Sequence, residues 1–266
     1  MSHIGFIAGS GFSIPDGATV RGRTLPTPHG SVEIAEWEES GHRVTFLPRH
    51  GPGHARLSHQ IAHRANLAAL RIQGVNAIVA STAVGLLEPA VPLGIALLFD
   101  DLYFPSNRLP DGTLATFFGD EDDAPRGHWI PAMPFSPALR TLLAQAADRA
   151  SLAIVDGGCY VHADGPRFNT RAEHAAFRAA GGTAVSQTCG PEAVFAGEIG
   201  IPYALVGFGV NYVADVEAAG VAETDLDALL VQHGEVVSTL FREFLALLPV
   251  ETQFACDTGT VYRLPH

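Results

Sequence analysis

The chain reads as an α/β protein built as one domain, and three observations point there. Short apolar runs bounded by Gly and Pro, such as Ile4 to Ala8, Asn76 to Ala80 and Tyr203 to Val210, have the length of buried strands. Stretches with apolar residues at helical spacing lie among them, at His59 to Gln73, Pro137 to Arg149 and Thr224 to Leu248. Finally, 266 residues with 47% hydrophobic and 17% charged side chains suffice for one large core, and no shift of composition marks a boundary. Residues 1–266 are therefore taken as a single unit.

The first strand, Ile4 to Ala8, runs into Gly9-Ser10-Gly11. Two glycines let backbone approach a ligand and Ser10 adds a hydroxyl, so this turn either cradles a phosphate or is a plain β-turn, lacking the Lys of a P-loop. Thr27-Pro28-His29-Gly30 is a turn, and Val32 to Ala35 and Val44 to Leu47 form a hairpin about Gly41. The returning strand ends in Pro48-Arg49-His50-Gly51, with His54, Arg56 and His59 close behind. Arg supplies a planar fork of donors for phosphate oxygens and His a further donor. The helix from His59 to Gln73 carries Ile61, Ala65, Ala68, Ala69 and Ile72 on one side and stops at Gly74.

Asn76 to Ala80 is a buried strand expected to end before Ser81-Thr82-Ala83-Val84-Gly85, the third donor-rich strand end. Ile95 to Phe99 is another strand. From Tyr103 to Pro137 the pattern dissolves into Pro, Gly and acidic residues, a length that marks a functional loop or a subunit contact. Ser136 caps the helix that Pro137 opens.

Ala153 to Val155 and Tyr160-Val161 are apolar pieces stopped by Asp164-Gly165-Pro166. Arg167, Phe168 and Asn169 then sit on a turn, and Thr170 with Glu173 three residues on has the spacing of a capping box. Thr183 to Val185 ends in Ser186-Gln187-Thr188, and Pro191-Glu192 starts a helix, so polar groups at a strand end face a helix N-terminus, an arrangement that suits an anion or a sugar. Tyr203 to Val210 is a strand ending in Asn211-Tyr212, where Asn211 either reads a purine or amide edge or is simply a turn residue. Thr224 to Leu248 is a packing helix.

A net charge of −12 and a pI near 5.3 argue against a nucleic-acid backbone or an anionic membrane as partner. A small anion remains compatible, because local Arg, His and N–H groups bind it whatever the global charge. Cys159, Cys189 and Cys256 form no CxxC pair, so neither a disulfide framework nor a metal site is expected. The start, MSHIGFIAGSGF, has no basic region before its short apolar run, and no apolar stretch approaches membrane-spanning length. A cytoplasmic protein is the expectation.

Taken in order, AGSGF, LPRHGPGH, RANLAAL, STAVG, GPRF, AEHAAFR and TCGPEAVFAGE resemble the trimeric branch of the purine nucleoside phosphorylases, most closely the methylthioadenosine and methylthioinosine phosphorylases. The likeness runs from Ile4 to about Asp215. It implies a mixed twisted sheet partly closed into a barrel and wrapped by helices, assembled as a homotrimer, with a hexamer as the alternative. The activity it implies is phosphorolysis of an N-glycosidic bond, with inorganic phosphate as co-substrate and neither metal nor organic cofactor. On this resemblance Ser10, Arg49, His50, Thr82, Ala83 and Thr188 form the phosphate site, and Phe168 packs on the base against a backbone wall of Ala83, Val84 and Gly85. His128, seven residues before Phe135, matches a His that reaches a neighbouring subunit's sugar pocket. Asn211 and His50 are the catalytic candidates.

The transition state has oxocarbenium character, so bound phosphate stabilises the sugar and the leaving purine needs its charge absorbed at N7. The 6-aminopurine enzymes have Asp where this chain has Asn211, and a second Asp where it has Val213; 6-oxopurine enzymes have Asn at the first position. An amide donates to N7 and accommodates the 6-oxo pattern, whereas protonating N7 as a carboxylic acid is closed to it. Three positions depart from the family pattern. Asn169 stands where many 6-oxopurine enzymes have Glu, Gln187 replaces the Met that packs on the ribose, and Asp164 replaces the usual Glu. A phosphorylase of 6-oxopurine or 5′-modified nucleosides is the first reading. The alternatives are a 6-aminopurine phosphorylase, and a silent nucleoside-binding homologue or hydrolase. Arg49→Ala is expected to weaken phosphate binding with the fold intact.

Overall fold

A computed structural model describes residues 1–9, 12, 14, 18–119, 127–213 and 223–263. Strand β1 (His3–Ala8) is buried along its whole length because both edges and both faces are covered. It pairs in parallel with β4 (His42–Pro48) on one side and β5 (Ala77–Leu86) on the other. Its side chains alternate between two cores. Phe6 points to the layer of α2 (Pro137–Arg149) and α5 (Glu223–Leu247), where the Phe241 ring stacks on it at 4.2 Å. Ile7 points to the opposite layer, with α1 (His63–Ile72) and α4 (Gly190–Ile199).

The expected hairpin is present as β3 (Gly30–Glu39) and β4, with Ser40 at φ 53° and Gly41 at φ 78°. Positive φ at both central residues is the turn whose twist matches that of paired strands. A strand absent from the sequence reading, β2 (Arg21–Thr27), pairs with β3 at the sheet edge. Its polar, Pro26-bearing sequence is tolerable only there, where no second partner needs the missing N–H.

Two strands run further than expected. β5 continues through Ser81 to Gly85 as far as Leu86, and β12 (Tyr203–Tyr212) continues through Asn211 and Tyr212. The two lie parallel over nearly their full length, from Tyr203 beside Ile78 to Tyr212 beside Leu86, with a bulge between Gly209 and Asn211. Each supplies the other's ladder, which is why polar residues that look like loop in isolation remain strand.

The sheet is mixed, as expected, and it branches at β5. On the edge away from β12, Ala77 to Ala80 pair with β1, whereas Gly85 and Leu86 pair antiparallel with β11 (Gly182–Ser186). Among the described strands none lies against Ser81 to Val84 on that edge, so the sheet opens there into a fork. Beyond β11 follow β10 (Cys159–His162) and β7 (Asp101–Tyr103); beside β12 lie β6 (Ala96–Leu98) and β9 (Ile154–Asp156). The strand path branches without closing on itself.

The helix expected from His59 is split. Ser58 to Gln60 form a 3₁₀ turn, Ile61 is extended at ψ 129°, and α1 starts at His63. Ile61, Ala65, Ala68 and Ala69 are buried as expected, but Ile72 is 53% exposed at the last turn. The caps of α2 and α3 (Arg171–Ala179) form as read: Ser136 Oγ accepts from Leu139 N, and Thr170 and Glu173 make a reciprocal capping box. The long connection after Tyr103 contains β8 (His128–Pro131), which pairs antiparallel with β13 (Gly259–Tyr262). Arg64 of α1 donates to Thr116 O and Leu114 O, and Glu198 of α4 accepts from Thr116 Oγ1 and Phe117 N, tying the connection to the body. No helix among the described residues is long and apolar enough to cross a membrane.

Candidate active site

A cavity of about 270 Å³ fills the fork of the sheet. One end is formed by Gly9, His50, Thr82 and Thr188, where β1, β4, β5 and β11 finish or part. The other lies between Ala83, Val84 and Gly85 of β5, Asn211 at the end of β12, and the Phe168-Asn169 turn ahead of α3. Ser186 and Gln187 also line it. The sequence candidates His50, Thr82, Ala83, Val84, Gly85, Phe168, Asn169, Gln187, Thr188 and Asn211 thus share one wall-to-wall space, although they span most of the chain. Ser10 lies outside the described residues.

At the first end, Thr82 Oγ1 lies 3.3 Å from both Thr188 Oγ1 and Ser186 Oγ, a cluster of hydroxyls rather than charges. Three backbone N–H groups at the entry to α4 are committed inside the protein. Thr188 N and Cys189 N donate to Tyr160 Oη at 3.4 and 3.1 Å, and Gly190 N donates to His162 Nδ1 at 3.3 Å. Hydroxyls and the backbone of the fork therefore face this end of the cavity.

His50 Nδ1 lies 2.9 Å from the carbonyl oxygen of Arg56. A carbonyl only accepts, so Nδ1 carries the proton. Burial, then the neighbouring Arg49 charge, lower the His50 pKa to about 4. The ring is therefore neutral at pH 7 and its Nε2 is an acceptor, which corrects the expectation of a plain donor. The His54 ring stacks on it at 4.1 Å.

Arg49 is placed differently from the sequence expectation. It is 1% exposed, and three of its N–H groups are committed inside the protein. Nε and Nη2 meet the two carboxylate oxygens of Glu192 at 2.6 and 3.0 Å, and Nη1 reaches Ser81 O at 2.7 Å. Tyr203 Oη donates to the same Glu192 at 2.8 Å. Nη1 lies near Gly9, 3.4 Å from where a Cβ would stand, so the guanidinium backs the fork without lining the cavity. The expectation that Arg49→Ala leaves the fold intact is corrected accordingly, since it would strand a buried carboxylate.

At the other end Phe168 is 75% exposed at the cavity edge, an aromatic face without a packed core behind it. Arg167 steadies that turn by donating to Phe168 O and by a two-pronged contact with Glu173. Asn211 and the buried Val213 line the cavity together, and Asn211 Nδ2 lies 3.5 Å from where a Cβ on Gly85 would stand. Among the described lining residues there is no Asp, Glu, Lys or Arg; the titratable groups are His50, His54 and His174.

His128 starts β8, exposed, and does not line the cavity of its own chain. Ser58, His174, Val185 and Val210 line the cavity without having been singled out for it from the sequence, whereas Ser186 lies in the polar strand end that was. His174 is the buried residue of α3, 5% exposed in its first turn. Ser58 was not legible in the sequence, since only the broken helix brings it to Gln187. Among the described residues no group of three His, Cys, Asp or Glu side chains is placed to hold a metal ion.

The family model described as Phosphorylase superfamily matches residues 3–246. The 6-oxopurine nucleoside phosphorylase of Pyrococcus furiosus is 32% identical over 96% of this chain and 97% of its own length. The S-methyl-5′-thioadenosine phosphorylase of Mycolicibacterium smegmatis is 36% identical over 98% of both. Among solved structures, a variant of the adenosine/methylthioadenosine phosphorylase of Schistosoma mansoni in complex with methylthioadenosine superimposes with a TM-score of 0.80 at 26% identity, covering 93% of this chain and 91% of that one.

Proposed function

The chain belongs to the phosphorylase superfamily, among the purine nucleoside and methylthioadenosine phosphorylases, and on that premise we propose which nucleoside it cleaves and with which residues. It is an enzyme of purine nucleoside phosphorolysis. In our reading the nucleoside lies along the fork. A phosphate oxygen attacks the sugar C1′, the bond from C1′ to the purine nitrogen breaks, and the products are free base and sugar 1-phosphate, without a metal or organic cofactor.

Phosphate sits at the hydroxyl end, against Thr82, Thr188, the backbone of Ala83, and His50. Because His50 is neutral and its proton is committed to Arg56 O, a phosphate oxygen that meets Nε2 carries a proton of its own. Arg49 contributes positive potential from behind, partly offset by Glu192. Gln187 lies beside the sugar. Phe168 packs on the base, and Asn169 and Asn211 read its edge. In a homotrimer, His128 of each chain reaches the sugar end of a neighbouring subunit's cavity.

We place the substrate among the 6-oxopurine nucleosides, and one observation carries this. Asn211 stands at the base end of a cavity whose described lining residues include no carboxylate. An amide stabilises the departing purine by donating to N7, and it tolerates the 6-oxo edge. The S-methyl-5′-thioadenosine relatives favour the second reading, a 6-amino base.

The test is release of free base from inosine, guanosine, methylthioinosine, adenosine and methylthioadenosine, each with and without phosphate. Phosphate-dependent cleavage of the 6-oxo members is expected, with the 6-amino members lower by at least about tenfold in kcat/KM, the scale of one buried hydrogen bond mismatched. Asn211→Asp should narrow that ratio. A wild-type preference for methylthioadenosine would overturn the assignment to 6-oxopurines.

A further inference from the structure

Beside the sugar position the cavity has a neighbour. A second pocket of about 210 Å³ lies next to it, and Ser58 and Gln187 line both. Ser58 Oγ donates to Gln187 Oε1 at 2.8 Å, so the two side chains join into a polar partition between the spaces. The Gln187 amide is fixed at its other end, where Nε2 donates to Arg167 O at 2.9 Å. The partition depends on a glycine. A Cβ on Gly165 would fall 2.1 Å from Gln187 Oε1 and 2.5 Å from Ser58 Oγ, so any larger residue would push the pair apart.

The far side of this partition is polar and of mixed charge, with Arg108 and Asp164 both on its wall. Arg108 Nη1 is tied to Gly112 O at 2.8 Å, which leaves the guanidinium with further N–H groups, and Asp164 offers acceptor oxygens. His162 also lines it; its Nδ1 accepts from Gly190 N, so its ring proton sits on Nε2. One cation and one anion on a wall that also carries the imidazoles of His59 and His162 hold neither an anion nor a cation well. They suit hydroxyl groups, which both donate and accept.

We propose that this second pocket is a subsite for a neutral, hydroxyl-bearing substituent on the sugar of the nucleoside, reached past the Ser58–Gln187 partition. The inference rests on the reading of the main cavity as a nucleoside site. Gln187 retains one N–H and an oxygen lone pair beyond the bonds it makes to Arg167 and Ser58, so it can bridge from a sugar oxygen to the substituent. Discrimination then comes from hydrogen bonds, because a pocket built to pair a hydroxyl rejects an analogue that leaves its polar groups unpaired.

The experiment compares phosphorolysis of a purine riboside with its 2′-, 3′- and 5′-O-(2-hydroxyethyl) ethers and the matching O-propyl ethers, on the wild-type protein and on Arg108→Ala. The riboside is the one that the base panel selects. One hydroxyethyl ether should retain kcat/KM within about threefold of the parent, its propyl counterpart should be at least about tenfold worse, and Arg108→Ala should lower the hydroxyethyl ether alone by about fivefold or more. If every ether is turned over at least about a hundredfold more slowly than the parent, or hydroxyethyl and propyl behave alike, or Arg108→Ala changes parent and ether equally, the subsite is overturned. If no purine riboside is cleaved, the nucleoside reading itself has failed. The same ethers are then read by thermal shift, where a hydroxyethyl ether that raises Tm no more than the propyl ether also overturns the subsite.

Discussion

At the scale of single residues, the ring of His162 shows how burial and one hydrogen bond set chemistry that composition does not reveal. Its Nδ1 accepts from Gly190 N, which only an unprotonated nitrogen can do, and burial lowers its pKa to about 3. His63, likewise buried, is lowered to about 3. The unfolded chain binds these protons near pH 6.5 while the folded chain refuses them until far lower, so stability falls as pH drops through that interval. Each such histidine costs about 1.4 kcal/mol per pH unit, or about 2 kcal/mol between pH 6.5 and 5. His162→Gln keeps an acceptor for Gly190 and loses the titration. Urea unfolding at pH 7 and pH 5 should therefore show a smaller loss for the variant by about 2 kcal/mol; equal losses would mean that His162 is not held neutral.

The same scale separates what was legible from what was not. Asn211, Phe168 and Thr188 announced themselves as polar or aromatic residues at strand ends and turns, and they line the cavity. Arg49 sits in the motif that resemblance marks, but its direction depends on Glu192, which is 143 residues away and contributes nothing to the local pattern.

At the scale of elements, the pairing of Arg49 and Glu192 joins the end of β4 to the first turn of α4, with both side chains at 0% exposure. A buried pair is weak evidence for net stabilisation, but breaking it is costly because the remaining charge has no solvent. Arg49→Ala should lower unfolding free energy by about 3–5 kcal/mol. The double change Arg49→Met with Glu192→Met should recover most of that loss, because both charges leave together. Urea denaturation of the three proteins checks this. A single variant within about 1 kcal/mol of wild type would show that Arg49 is not anchored by Glu192. The reach of β5 and β12 belongs to this scale too. Propensity ended both strands at their first polar residues, but mutual pairing carries them to Leu86 and Tyr212 and so places the site residues on rigid strands.

At the scale of the whole molecule, the chain offers a surface that its own cavity does not use. Phe168 is 75% exposed beside the cavity, and Ile130 and Tyr262 stand 55% and 56% exposed on the β8–β13 pair that carries His128. The proposed homotrimer would cover these apolar groups and would let His128 complete a neighbour's site. Sedimentation equilibrium should give three times the chain mass of 28.1 kDa. His128→Ala should leave that mass unchanged and lower kcat/KM by about tenfold, as for one lost hydrogen bond to the sugar. A monomer with full activity would refute the shared site, and six times the mass would make the assembly a hexamer.

The sequence by itself determined the α/β class, most of the strands and helices, the α2 and α3 caps and the family, because these rest on local periodicity, turn chemistry and ordered motifs. Periodicity and capping act over a few residues, so they survive in one dimension. Only the tertiary structure decided the fork in the sheet at β5, the withdrawal of Arg49 behind it, the use of the α4 N-terminus by Tyr160 and His162, and the Ser58–Gln187 partition. Each of these depends on which distant groups satisfy one another's hydrogen bonds once water is excluded, and that is settled only when the chain has packed.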